Sequence, residues 1–384
     1  MKQLLSILLV VCLMLGLVAC GKEEVPEKNP PVTTQNDATP DPEPDPNPEN
    51  DPATETETEP EPEPEPAFRH PLNGAPLEEA WTGRPTTAVL GNTKDALPQC
   101  GINDAAIIYE AETEGGTTRM LAVYGDVANL PCVGPIRSAR TFFNNLSVSY
   151  DAVILHCGGS VRGRNGYHDI SGTKIPDWDH VDARYHDAGA EKYQDTMFYR
   201  DEERNNSGYN FEHTLFIQGN AITHLLTKNQ CRTTTEEGWS SGLQFKGNVA
   251  LTGKAATNVT VNFAAYKTTT FVYNAETGLY KASQYKQDWV DGNTSEVTQF
   301  KNLIVLSATQ QTRSDGEYPR SYYELVGTGT GSLVIDGQMA SIKWSREALE
   351  SPFIYTYEDG TPVILEPGRT YIAITSDPEP ITCK

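Results

Sequence analysis

Glutamates at positions 110, 112 and 114 alternate with Ala111 and Thr113, and Gly115-Gly116 follows directly. On a continuous strand the three carboxylates share one face, about 6.6 Å from one to the next. Carboxylates grouped this way raise one another's pKa or take cations. Glu110 and Glu114 are therefore candidates for general acid–base work or for holding a hard cation. The opposing use of the same residues is internal ion pairing, with Arg119, Arg137 and Arg140 as counter-charges that fix the glycine turn.

Arg137 and Arg140 bracket Ser138 at the start of a predicted helix. Free backbone N–H groups and the positive end of the helix dipole favour anions there. Two guanidinium forks can grip a carboxylate or phosphate. Arg119, Arg137, Ser138 and Arg140 are thus candidate ligand-binding residues, with pairing to Glu110 or Glu114 as the rival use. His156 follows an apolar run and precedes Gly158, Gly159 and Ser160. Glycine-rich turns at the carboxyl ends of strands let a ligand approach the backbone, so these four join the candidates. Cys157 lies beside His156, but neighbouring strand residues face opposite ways, which argues for a small buried thiol. No nucleophile elbow and no Walker lysine accompany the glycines. His168, His180, His186 and His213, with Asp169, Asp177, Asp179, Asp182 and Asp187, make a polar stretch without metal-ligand spacing. No metal or cofactor is implied.

These groups need elements to hold them. Residues 86–90, 104–110, 117–124 and 152–155 read as strands, the last apolar enough for burial on both faces. Ala139, Phe142, Phe143, Leu146 and Tyr150 fall on one face of a helix spanning about 138–150. Beyond residue 236, Thr, Val, Tyr and Gly dominate. Strands are expected at 259–263, 270–273, 302–306, 331–335, 339–344, 363–365 and 370–374, with turn signals between them. The pattern predicts an α/β (α+β) protein: a layered mixed-sheet first domain and a smaller, mostly antiparallel β-rich second domain.

The chain has 384 residues and a formal net charge of -22. Residues 21–66 carry 15 acidic and 2 basic residues, leaving 37 acidic against 27 basic beyond them. With no basic run, nucleic acid is not expected as a partner. Met1-Lys2 and an apolar run lead to Leu17-Val18-Ala19-Cys20, the lipobox of a bacterial lipoprotein signal. Cys20 is the expected lipidation site. Two acyl chains on it give stable anchoring at the extracytoplasmic face of the membrane. Residues 22–66 hold half of the 26 prolines and lack apolar periodicity. They read as a polyproline II spacer reaching on the order of 140 Å. The expected organisation is signal peptide 1–20, tether 21–66, α/β domain 67–235 and β-rich domain 236–384. Five thiols remain in the exported part, at positions 100, 132, 157, 231 and 383, and their pairing stays open.

Four segments, residues 109–119, 133–140, 156–160 and 198–201, resemble in order and spacing the YerB-like bacterial lipoproteins. Residues 273–280, 301–305 and 365–371 extend the resemblance over most of 70–375. It implies an α/β domain followed by a β-rich domain, both of unknown function, and a cell-envelope location. It also brings Arg200 and Asp201 into the candidate ligand-binding set. His213 keeps its place where the family reads Ala-Pro-His-Asn, but Thr214 replaces the Asn. The family's Pro-Gln-Ser-Gly stands here as Pro98-Gln99-Cys100-Gly101.

The function expected is binding of an anionic envelope ligand or partner by the first domain. The alternatives are a hydrolase of cell-wall glycan or linked polymers, using Glu110 or Glu114 with His156 or His213, and a docking scaffold of the envelope. The membrane is the expected partner, through the lipid on Cys20, with a cell-wall polymer or envelope protein as a further one.

Overall fold

A strand covered on both faces needs residues that tolerate burial at every position. Thr86–Asn92 (β1) meets that demand, since each of its seven residues is buried. The computed structural model describes residues 65–160, 180–183, 198–228, 230–264, 267–315, 318–376 and 380–384. In it β1 lies inside a sheet of eleven strands. Ile107–Glu112 (β2) and Thr118–Tyr124 (β3) form an antiparallel hairpin, and β3 also runs antiparallel to β1. Val153–His156 (β4) pairs parallel with β1, and His180–Asp182 pairs parallel with β4.

The second half supplies an antiparallel meander and the rest of the large sheet. Asn258–Ala264 (β5), Lys267–Asn274 (β6) and Leu279–Gln284 (β7) are the centre of a six-stranded sheet. In β5, Val259, Val261 and Phe263 are buried while the residues between them are less so, the alternation of a sheet covered on one face. Asn302–Ser307 (β8), Gly327–Ile335 (β9), Gln338–Arg346 (β10) and Thr370–Thr375 (β11) extend the large sheet in the order β10-β9-β8-β11-β2. β11 runs parallel to both neighbours, with Ile372 opposite Ile304 on β8 and Tyr109 on β2.

The large sheet has a core on each face. Leu90, Ile108, Met120 and Ala122 pack with Val261, Phe271, Tyr280 and Trp289 of the meander. Val89, Ile107, Leu121 and Val123 pack with Phe142, Phe143 and Leu146 of the helix Thr141–Ser149 (α1). Glu202–Asn206 (α2) and Gly219–Lys228 (α3) are the other α-helices among the described residues. The fold is thus mostly strand, with a mixed-sheet N-terminal part and an antiparallel C-terminal region, as expected.

Three local expectations change. First, α1 starts at Thr141, because the backbone N–H groups of Ile136, Arg137 and Ala139 are taken by the carbonyls of Leu215, Val89 and Gly158. Arg137 therefore lies on extended chain and Arg140 at the helix N-cap, so the two do not share a helix face. Second, α1 is buried all round, including Asn144 and Asn145, instead of showing one apolar face. Arg346 donates to the Asn145 carbonyl and Trp239 donates through Nε1 to the Ser149 carbonyl at 3.4 Å, so second-half residues cover the polar side. Third, Val363–Leu365 is not a strand. The N–H of Val363 bonds the Tyr355 carbonyl and that of Leu365 the Gln244 carbonyl, two different partners.

Candidate functional site

The parallel strands β1, β2 and β4 end on one edge of the large sheet, and β3 begins there. Asn92, Glu110, Arg119 and His156 therefore come together with the N-terminus of α1. The strand carrying the glutamates stops at Glu112, and Glu114 opens a short 3-10 turn in which Gly115 takes φ 77°. That break sends Glu110 and Glu114 to different environments, so the three carboxylates do not line one face.

Glu110 is fully buried between the two sheets. Its Oε1 accepts from Asn92 Nδ2 at 2.7 Å and from Thr118 Oγ1 at 2.6 Å, and lies 2.9 Å from Lys267 Nζ. Its Oε2 accepts from Thr269 Oγ1 at 2.9 Å and from the Tyr371 hydroxyl at 2.8 Å. Both oxygens are saturated by donors from β1, β3, β6 and β11, which makes this carboxylate a joint between chain halves. The sequence offered no sign of Lys267, Thr269 or Tyr371 as its partners, because they lie far along the chain.

Glu114 faces the arginines. Arg140 Nε donates to its Oε2 at 3.0 Å, a second Arg140 nitrogen reaches Oε1, and Arg320 Nη1 adds a bond of 2.6 Å. Burial pushes the Glu114 carboxyl up, but the Arg140 hydrogen bonds and charge outweigh it and hold the pKa at about 2. Arg137 pairs with Glu212 at 3.1 Å. Arg119 has no carboxylate within 4 Å among the described residues. Its Nη1 donates to the Ser138 carbonyl at 2.6 Å. Burial, then the nearby charges of Arg140 and Arg137, push its pKa well below the usual arginine value. A cleft of ≈ 350 Å³ opens beside Glu114, lined among others by Glu112, Gln310 and Arg320.

Gly91 sits at the close approach of this edge. A Cβ there would stand 3.1 Å from Arg137 Cγ and 3.3 Å from His213 Nδ1, so the bare backbone makes room for both. His213 is buried, with Nδ1 3.4 Å from Arg137 Nη1 and Nε2 3.1 Å from Thr93 Oγ1. Arginine can only donate, which puts the His213 proton on Nε2. Burial and the Arg137 charge hold its pKa down at about 4. His156 is fully buried and bonds the Gly158 carbonyl through Nδ1 at 2.9 Å. Gly158 also takes the Ala139 N–H, which ties the 158–160 turn to the segment carrying Ser138. Gly159 is half-buried and Ser160 buried beside it. Arg200 and Arg137 bond the carbonyls of adjacent residues, Phe211 and Glu212. Arg200 bonds the Phe211 carbonyl at 2.6 Å, with its guanidinium 3.7 Å from the Phe211 ring centroid. Asp201 caps α2 by accepting from the Arg204 N–H at 2.8 Å. Cys20, residues 21–64 of the tether, and His168, Asp169, Asp177, Asp179, His186 and Asp187 lie outside the described residues, as do the side chains of His180 and Asp182.

Comparison with known proteins places this architecture. The "Putative lipoprotein YerB" of Bacillus subtilis (strain 168) is 25% identical over 313 residues, covering 80% of this chain and 86% of that protein. The crystal structure of YerB from Bacillus subtilis superposes with a TM-score of 0.68 at 22% identity, covering 82% of this chain and 99% of that one. Residues 72–232 match the model described as the N-terminal domain of a protein of unknown function (DUF3048), and residues 259–372 match the C-terminal domain of the same family. With both domains matched in order over most of its length, the chain belongs to the DUF3048 family.

Proposed function

We propose that the protein is a lipid-anchored lipoprotein of the cell envelope whose arginine-rich sheet edge binds an anionic envelope ligand, a phosphate or carboxylate. One observation carries this reading. Arg119 is half-buried against two further arginines and has no carboxylate of its own among the described residues, a placement that disfavours its charge until an anion arrives. Arg140 and Arg137 already hold Glu114 and Glu212, so they set the field while Arg119 takes the ligand. The full chain titrated with polyglycerol phosphate, and separately with a muropeptide bearing a free carboxylate, tests the site. Arg119→Met should weaken binding roughly ten- to a hundredfold, the loss of a charge-assisted hydrogen bond of about 1.5–3 kcal/mol. Its thermal midpoint should hold or rise, because a repelled, desolvated charge is removed. Unchanged affinity in this variant would remove Arg119 from the reading.

The anchor rests on the lipobox at Leu17–Cys20 and on the name of the Bacillus relative. Cys20→Ser should abolish metabolic labelling by palmitate and move the protein from the membrane pellet to the soluble fraction. A variant that stays both labelled and sedimentable contradicts the assignment. The acidic, proline-rich residues 21–66 then act as the spacer between lipid and folded body.

A further inference from the structure

Cys100 and Cys132 stand on two loops that touch, one joining β1 to β2 and the other joining β3 to α1. The loops are pinned to each other by the Cys100 N–H on the Gly134 carbonyl at 2.9 Å and the reciprocal bond at 3.2 Å. The two segments lie against each other at the cysteines themselves, since a Cβ at Gly101 would stand 3.0 Å from the Cys132 carbonyl oxygen. Asn293 fixes Cys132 from the second half of the chain, donating through Nδ2 to its carbonyl at 2.9 Å and accepting from Sγ at 3.1 Å. Gly292 lies against Cys100, since a Cβ at that glycine would stand 2.8 Å from Sγ. Both cysteines are half-buried, so a reagent can reach them. Cys383 is engaged elsewhere, 3.5 Å from the Met339 sulfur.

We propose that Cys100 and Cys132 are a redox pair that closes to a disulfide, locking the loop that carries Arg137, Ser138 and Arg140 to the loop before β2. The oxidant is a disulfide donor, such as a thiol–disulfide oxidoreductase or glutathione disulfide. Cys132, as thiolate, attacks one donor sulfur, breaks the donor S–S bond and releases a donor thiolate. Cys100, as thiolate, then attacks Cys132 Sγ and displaces the second donor thiolate. Two protons leave the protein thiols and two electrons pass to the donor, which ends as two thiols. The neighbouring Cys100 thiol lowers the Cys132 pKa, consistent with Cys132 attacking first. The inference is independent of the anion site and does not use Arg119.

The test equilibrates the full chain, in detergent, with glutathione disulfide, quenches it with N-ethylmaleimide and digests it with trypsin without reductant. Cleavage after Lys94, Arg119 and Arg137 puts the two cysteines on separate peptides. The expected product is those peptides joined, two hydrogens lighter than their sum, with Cys157, Cys231 and Cys383 alkylated. Adding dithiothreitol should lower the thermal midpoint by about 3–6 °C, and Cys100→Ser or Cys132→Ser should abolish that dependence. Maleimide on both Cys100 and Cys132, glutathione on both, or linkage of either to another cysteine would overturn the proposal. The digest of the unsubstituted chain decides the matter even where a variant fails to fold.

Discussion

Lys267→Met should cost about 3–5 kcal/mol of folding stability, read as a lower urea midpoint, because it strands a buried carboxylate. The side chains of Lys267 and Glu110 are 1% and 0% exposed. Lys267 Nζ also donates to Thr269 Oγ1 at 2.9 Å and to Gln284 Oε1 at 2.8 Å, so its removal opens a network as well as an ion pair. Burial pushes the Lys267 pKa down and the Glu110 charge pulls it back, the balance of a cation kept charged by one partner. Adding Glu110→Gln to Lys267→Met removes both charges together and should recover a large part of the loss. If the double variant is no more stable than Lys267→Met alone, the two residues do not act as a pair.

Acidification should weaken the fold in two overlapping steps. His213 has a folded pKa of about 4, below its unfolded value of about 6.5. The unfolded chain therefore binds the proton more readily, and stability falls as pH drops from about 6.5 to about 4. Glu114 has a folded pKa of about 2, below about 4.5 unfolded. Its contribution is present above about 4.5 and is lost as pH falls toward about 2. Each step amounts to at most about 3 kcal/mol. Urea midpoints measured from pH 7 to pH 2 should show His213→Gln flattening the upper step and Glu114→Gln the lower one. A pH profile identical to the parent in both variants would break the link between these geometries and stability.

The strands were legible where burial writes itself into short runs. Ala152 to Leu155 is apolar throughout, and residues 153–156 are a strand buried at every position. The alternation at Val259, Val261 and Phe263 likewise marks a sheet with one covered face. The gathering of Glu114, Arg119, Arg137 and Arg140 was also within reach, since one hairpin and one helix start bring them together. What was not legible depends on partners distant in sequence. The start of α1 is set by carbonyls of Val89, Gly158 and Leu215, and nothing between 136 and 140 announces them. Glu110 finds its cation on β6 rather than among the nearby arginines, because the strand ends at Glu112 and turns Glu114 away. The run at 363–365 is apolar like a strand, yet its backbone bonds go to separate segments.

β11 joins β2 in parallel although the two are far apart in the chain, and the Tyr371–Glu110 bond spans 261 positions. Contacts of such separation carry a large loop-closure cost and slow the search for the native state. A polypeptide that emerges amino end first, as synthesis delivers it, presents β2 with one flank open until residues 370–375 emerge. During that interval the edge offers unpaired N–H and C=O groups to any neighbouring strand. The Glu110 side chain meanwhile stays hydrated, waiting for a tyrosine and a lysine not yet released. Maturation is therefore timed by the carboxyl end of the chain, and the vulnerable period lasts from the emergence of residue 113 to that of residue 370.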